Sequence, residues 1–522
     1  MKGGCDTMAT TPTENKYLKI IDDYIGREDI ARHNSNLIYS HAAMVGIISG
    51  EVIKDYWFSR VYGDYARALH DEGWIYIHNT SVLGVYCSGW STRDLCIRGL
   101  ECTEPNAPAY SPPKHIESLL GEAANFIATI SQEIHGACAM NDIISCVASY
   151  LYIEETINNV PVTAKRLENI WQTFFCEINL AWRCGNSPFT NITMTIQGND
   201  PNLRDEKVAY GGKYLDFTYG QIPQEYYDRT NTAYINAFAA GDRYGKPYTF
   251  PLITVQIFDS TDYDHPIFKM LLEKMDPWGG VYIDNYCTKP FNSTEQSAFK
   301  EINRFITPRD ATATRSFCCR LQISIDDMKK VGRGIFGSAP KVGGVGVFNI
   351  NLNRVCYVAQ GNMKLIKDML DDLLEISQSL AQKKRKFILD HMDLYPYFSN
   401  YLDNLDTYFN IISCAGAHEG LMSMGYPDGL ADPEGAKIGA EIADHIRTRI
   451  DMMMTRDRVP VSFEYAPGET ANVKMARADL RFQDWITRGC PDTDEFTCFR
   501  SVIKQQYDDG VFFDDITEQA SV

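Results

Sequence analysis

The chain lacks the pattern that most directly announces a structural metal. Fifteen cysteines are scattered along 522 residues, and no CxxC occurs among them, so a zinc site of the usual spacing is excluded. An odd count in a chain this long, with no secretory leader pattern, also disfavours a disulfide-stapled domain. Most of these thiols read as buried small hydrophobes in a reducing, cytoplasmic setting. No apolar run approaches the roughly 18 residues that a membrane span needs. Positive charge is in deficit: 50 Lys and Arg face 68 Asp and Glu, a formal net charge of −18. Such a field repels nucleic acid and anionic membrane, so neither is expected as a partner. Complete Walker, HExxH, GxSxG and kinase patterns are missing, and Gly343-Gly344-Val345-Gly346 carries too little pattern to stand in for a nucleotide fingerprint. There is no internal repeat and no low-complexity tract.

What is present alternates between strand-like and helix-like stretches, which favours an α/β class. Residues 1–14 are small and polar and read as frayed. Helices are expected from Leu18 to Ile30 and from Glu51 to Asp71. A strand is expected at Trp74 to His78, and a proline-rich connector over 98–114. A long, mostly apolar helical region of two or more helices follows from about Ile116 to Ile157, with a further helix from Val160 to Trp182. Asn191–Ile196 and Pro251–Phe258 read as strands. Ala339 to Leu352 is glycine-rich and then strand-like. Ile366, Met369, Leu370, Leu373, Ile376 and Leu380 fall on one helix face. Gly435 to Met454 is another helix. After about Phe482 the apolar pattern fades into an acidic end.

Four segments carry polar or reactive chemistry. Ser316-Phe317-Cys318-Cys319-Arg320-Leu321 holds adjacent cysteines. The commoner reading of such a pair is two core residues. The functional reading is a reactive sulfur at a loop tip, helped by the glycines at 332, 334 and 337. Cys87 lies in Tyr86-Cys87-Ser88-Gly89-Trp90, just past the strand ending at His78; alone, each reads as structural. The loop Arg183 to Thr190 offers N–H and hydroxyl donors for a phosphate, or is an ordinary turn. Ser413 to Gly420 puts small residues ahead of a helix-like run, which permits close ligand approach or simply tight packing.

Taken in order, these blocks resemble the class III anaerobic ribonucleoside-triphosphate reductases, from about residue 30 to residue 482. The resemblance is carried by HNSNLIYS (33–40), GWIYIHNTSVL and YCSGW (73–90), NSPFTNIT (186–193) and GKPYTFP (245–251). It continues through SFCCRL (316–321), GRGIFGS (332–338), GGVGVFNINLNR (343–354), SCAGAHEG (413–420) and APGETANVKMAR (466–477).

The resemblance implies a ten-stranded α/β barrel of two five-stranded halves with a central finger loop, the glycyl-radical enzyme barrel. It assigns Cys319 as the residue that becomes a thiyl radical, at a loop tip between about Arg315 and Leu321. It assigns Cys87 as the second, reducing cysteine facing it. His78, Ser187, Pro188, Phe189, Thr190, Ala415, Gly416, Ala417, His418 and Glu419 are the implied substrate-binding positions. The implied partners are a ribonucleoside triphosphate substrate, dNTP and ATP effectors, a second copy in a homodimer, and an activase that uses S-adenosylmethionine and an iron–sulfur cluster.

The sequence departs from the family in several places. It carries no zinc-cysteine site and no CGY radical motif; its end holds only Cys490 and Cys498, and Gly510 sits in DDGVFF. The expected organisation is therefore residues 1–14 flexible, 15–482 catalytic barrel, and 483–522 an acidic tail in place of the zinc and glycyl-radical region. This chain is expected to bind no cofactor itself, with zinc and the radical glycine on a separate polypeptide. Asn79 stands where aspartate is usual, and His418 and Gly468 are atypical. GGVGV replaces the GNLGV of some members, which leaves the reductant, formate or thioredoxin-like, open. The competing readings are an inactive nucleotide-binding regulator, a shortened chain, and a pyruvate formate-lyase-like acyltransferase.

Overall fold

The computed structural model describes residues 15–26, 37–196, 203–275, 281–285, 314–316, 322–324, 341–402, 404–464 and 468–508. Its centre is a mixed nine-stranded sheet. In chain order the strands are β1 (Ile75–Ile77), β2 (Ser88–Trp90), β3 (Cys138–Met140), β4 (Thr190–Thr195), β5 (Leu252–Ile257), β6 (Val281–Asn285), β7 (Gly343–Asn351), β8 (Tyr408–Ala415) and β9 (Val461–Phe463). Strands β2 to β6 form one parallel run of five, and β7, β8 and β9 a second parallel run. The two runs meet antiparallel where Gly343 pairs with Ser88. β1 lies antiparallel on β7, with Tyr76 opposite Asn349. Among the described residues the sheet ends at β6 and β9, so nine strands stand where ten in a closed ring were expected.

Helices cover one face of this sheet in two groups. Outside β2–β6 lie α1 (Ile116–Ile130), a helix at Ile143–Thr156, α2 (Ala164–Ile178) and a helix at Gln224–Ala240. Outside β7–β9 lie α3 (Leu352–Ala359), α4 (Met363–Asp390), a helix at Pro433–Asp457 and α5 (Glu469–Thr487). Their starts are set by polar caps at the expected positions. Thr163 accepts from Arg166 N, Asn362 from Leu365 N, and Asp432 from Glu434 N and Gly435 N, each relieving an orphan amide of the first turn. No helix among the described residues is long and apolar enough to cross a membrane.

Three local expectations need correction. The helix read from Glu51 to Asp71 is three pieces: a helix at His41–Tyr56, a π turn at Trp57–Tyr62 that buries Trp57, and a helix at Asp64–Asp71. Gly63, at φ 94°, makes the break that an L side chain would resist. The apolar stretch 116–157 is two helices, as expected, but the unexpected strand β3 lies between them. The first helix, expected to reach Ile30, ends at Ile25.

Residues 483–508 are folded onto this body. α5 continues to Thr487, and Trp485, Phe496, Cys498 and Ile503 are buried in the β7–β9 core. The carboxylate of Glu72 accepts from Thr497 N (2.7 Å) and Cys498 N (3.1 Å).

Candidate active site

A strand buried on both faces in a parallel sheet is normally apolar on both. Here it is not. All but the last residue of β4 are buried, yet the strand reads Thr-Asn-Ile-Thr-Met-Thr. Ile192 and Met194 enter the helix-covered core. Asn191 and Thr193 point the other way, because side chains alternate along a strand. On that second face Asn191 Nδ2 donates to Thr254 Oγ1 of β5 (3.1 Å) and Thr193 Oγ1 to Asn141 Oδ1 (3.0 Å). Thr195 Oγ1 donates to Gln256 Oε1 (2.9 Å). The register carries the same face to Asp284 on β6, opposite Gln256. Across the seam it includes Asn349 of β7 and Ser413 of β8, which are partners.

Several buried atoms on this face have no hydrogen-bond partner among the described residues: Asn191 Oδ1, Asn349 Oδ1 and His78 Nε2. A buried polar atom without a partner costs about 1–3 kcal/mol, so these three, on the face turned away from the helices, are open to the hydrogen bonds of a polar ligand. The sequence reading placed Asn191 and Asn349 on strands without assigning them a role. The alternation in NITMTI, polar at every second position of a buried strand, is the signal that would have found Asn191 and Thr193.

His78 follows β1. Its N–H donates to Val347 O (3.0 Å), and its ring stands edge-on to Tyr76 at 4.6 Å. Burial first, then the nearby Lys474 and Lys384, brings its pKa down to about 3. It is therefore a neutral ring that can donate or accept, and not a cation.

Cys87 stands one residue before β2, at the seam of the two parallel runs. Its carbonyl accepts from Gly344 N (2.9 Å), and its residue is 2% exposed. Ala137 N donates to its sulfur at 3.1 Å. A Cβ on Gly136 would come within 2.5 Å of that sulfur, so the 136–137 backbone lies as close as a glycine permits. Cys318 and Cys319 lie outside the described residues, as do Gly332, Gly334 and Gly337.

The candidate phosphate segments differ from one another. Arg183 and Asn186 exchange backbone hydrogen bonds in a tight turn leading to Ser187, which is buried. Beyond it, Pro188 has no N–H, the Phe189 ring lies tilted against Phe250 (centroids 4.8 Å apart) and its carbonyl accepts from Cys138 N, and Thr190 is already in the sheet ladder. Asn186 also bridges Leu37, so strand-type pairing reaches both ends of this loop. At the other segment, Ala415 ends β8, Gly416 turns at φ 79°, and a short helix runs Ala417–Ser423. Gly416 lies against Asn353, so a Cβ there would meet that side chain at 2.8 Å. His418 is exposed, and its Nδ1 accepts from Leu430 N (3.1 Å); Glu419 is exposed as well. The neighbouring start of α3 already holds an anion. Asp479 accepts from Asn351 Nδ2 (3.0 Å), Asn353 Nδ2 (3.2 Å) and Arg354 Nε (2.6 Å). No group of three or more His, Cys, Asp or Glu among the described residues is placed to hold a metal ion.

A mixed α/β sheet of two parallel runs, with a buried polar face and a thiol at the seam, is a scaffold that solved structures share. An anaerobic ribonucleotide reductase from Thermotoga maritima in complex with dATP and CTP is 17% identical. It covers 95% of this chain and 80% of its own, with a TM-score of 0.62. The Thermotoga maritima enzyme with glycerol in the active site is 17% identical over 90% of this chain and 74% of its own, with a TM-score of 0.65. With dATP bound in the specificity site it is 18% identical over 90% and 75%, with a TM-score of 0.63. These likenesses establish the fold. No curated protein sequence matches the chain. The sequence profile described as "Anaerobic ribonucleoside-triphosphate reductase" matches residues 33–513, and the chain belongs to that family.

Proposed function

We propose that this chain carries out anaerobic reduction of ribonucleotides to deoxyribonucleotides by thiyl-radical chemistry. The observation that carries the reading is the buried polar face, with its unpartnered Asn191, Asn349 and His78 atoms, bordered by a buried thiol at Cys87. A ribose 2′-hydroxyl is a poor leaving group until the neighbouring 3′-hydrogen is removed. A thiyl radical at Cys319 takes that hydrogen atom and becomes a thiol. The 2′-hydroxyl then leaves as water with a proton while the 3′-hydroxyl gives one up, which leaves a 3′-ketone with the radical at C2′; Cys87 gives that carbon a hydrogen atom and becomes a thiyl. An external donor returns hydrogen to Cys87 and passes its second electron, with a proton, to the ketone, and Cys319 returns the 3′-hydrogen to the resulting C3′ radical. Net reduction takes two electrons and two protons, so an external donor, a dithiol or formate, completes the cycle and restores Cys87. Enclosure by a ten-stranded barrel, with Cys319 on its finger loop, keeps water and oxygen from these radicals.

No glycine of the sequence lies in a CGY motif. The glycyl radical, with its zinc site, therefore comes from a polypeptide segment outside these 522 residues. It is generated by an activase that carries S-adenosylmethionine and an iron–sulfur cluster. The substrate is a ribonucleoside triphosphate, with Ser187 and the Ala415–Gly420 segment receiving its phosphates. dNTP and ATP effectors act on a homodimer.

The test is an anaerobic assay with activase, S-adenosylmethionine, substrate and, in turn, dithiol or formate. Residues 1–522 alone should be inert. Turnover is expected when a short glycyl-radical polypeptide is added, and should be lost in Cys319→Ala and in Cys87→Ala. A radical detected on this chain by itself, with turnover, would overturn the proposal of a radical supplied from outside it. Nucleotide binding with no turnover under either donor would instead favour the regulator.

A further inference from the structure

We propose that Arg183 is a positioning residue for Cys87: its guanidinium clamps the 131–137 turn so that the Ala137 N–H is held against the sulfur. The inference rests on the reading of Cys87 as the reducing thiol. Arg183 Nη1 reaches three carbonyls of that turn, Ser131 O (3.3 Å), Ile134 O (3.2 Å) and His135 O (2.5 Å). The turn begins at the C-cap of α1, where the last carbonyls of the helix are unsatisfied and carry partial negative charge. A cation is favoured at such a point, yet this one comes without a carboxylate: no acid lies within ion-pair reach of it among the described residues. Burial lowers its pKa, and the only neighbours that oppose this are Cys184 and Cys87. The half-buried guanidinium is matched by backbone carbonyls in place of a carboxylate, which fixes the turn that supplies them.

The turn it holds is fixed at two further points. Asn79 Nδ2 donates to His135 Nδ1 (2.5 Å), which leaves Nε2–H to donate to Ser81 Oγ (3.1 Å). His135 N and Gly136 N donate to Val85 O (2.9 Å) and Tyr86 O (2.6 Å). These bonds set the turn beside the Cys87 strand, and the next amide, Ala137 N–H, goes to the sulfur itself. Gly136 leaves no slack, since even a methyl group there would stand 2.5 Å from Sγ. Arg183 also opens the Arg183–Asn186 turn that leads to Ser187 and β4. One side chain therefore ties the thiol's backbone donor, Ala137 N–H, to the start of the candidate phosphate loop. Hydrogen transfer from a thiol is sensitive to placement, and a shift of about 1 Å can cost about 100-fold in rate.

The test uses the full chain with Arg183→Met and Arg183→Lys. Hydrogen–deuterium exchange of the 131–138 peptide and steady-state kinetics with the added glycyl-radical polypeptide are both read. Arg183→Met should speed exchange of the 131–137 amides at least about tenfold. It should lower kcat at least about tenfold with KM for the nucleoside triphosphate within about twofold. Arg183→Lys should recover part of kcat, and guanidinium ion should recover part of it in Arg183→Ala. If Arg183→Met fails to fold, the lysine variant carries the same comparison. A lowered melting temperature with kcat per folded molecule unchanged would make the residue merely structural and overturn the proposal. If the unmodified chain gives no turnover with the radical polypeptide, the reductase reading falls. The exchange measurement still decides the clamp in that case, since unchanged exchange in Arg183→Met rejects it.

Discussion

Lys384 shows how far a residue's chemistry can be moved by its surroundings. It lies on α4, is 1% exposed, and its Nζ has no hydrogen-bond partner among the described residues. It stands 5.5 Å from the Trp57 ring centroid and 3.3 Å from where a Cβ on Gly346 would be. Burial brings its pKa down to about 7 from 10.5. Between those values the unfolded chain holds a proton that the folded chain does not, so stability rises with pH through the window. Below pH 7 both states are protonated and the penalty of the buried charge is fully present. Lys384→Met removes it and should raise stability by on the order of 1–4 kcal/mol at pH 6 to 7. The gain should shrink as pH climbs toward 10.5. Melting curves of both proteins across that range check this; a gain that is flat with pH would sink the argument. Nothing in QKKRKF distinguishes Lys384 from its neighbours, because its burial depends on a strand and a π turn far away in the chain. Cys87 and His78, by contrast, were legible as members of ordered blocks, although the amide on the sulfur and the neutral state of the ring were not.

At the scale of elements, the junction of the two parallel runs depends on Gly343. A Cβ there would stand 2.3 Å from Tyr408 Cε1 and 2.5 Å from Cys87 O. Tyr408 cannot retreat freely, since its hydroxyl donates to Ser88 Oγ (3.0 Å) and it is buried. Gly343→Ala should therefore push β7 from β2 and cost roughly 1–3 kcal/mol, read by urea unfolding. Turnover in the reconstituted assay should fall as well, because the displaced strand carries the partner of the Cys87 carbonyl. A variant of unchanged stability and activity would show that the seam has room to give. Long periodic elements such as α4 were legible because their apolar stripe repeats every three to four residues. The three-residue β3 was hidden between two helices, since Cys-Ala-Met has no period of its own. The break at Gly63 was missed because the apolar pattern runs straight through it.

For the whole molecule, the central question is what holds residues 468–508 to the sheet. Arg354 is buried and pairs with Asp479 of α5, and its guanidinium lies 4.1 Å from the Phe482 ring centroid. Asp479→Asn leaves that charge unpaired and should cost about 3–5 kcal/mol. Limited proteolysis should then cut first within 483–508, whose Glu72 anchor alone would remain. Cleavage elsewhere, or none, would show that the apolar contacts of Trp485 and Phe496 suffice.

The sequence by itself determined the α/β class, the main helices and strands, and the family blocks. All of these are local patterns, readable within a few turns or a few strand residues. Only the tertiary structure decided that Ala137 and the Arg183-held turn meet Cys87, that His78 lies on the same face as Asn349, and that Asp479 already occupies the start of α3. Those contacts join residues tens to hundreds of positions apart. They are set by strand order and register, which no single segment encodes and which a one-residue slip would turn inside out.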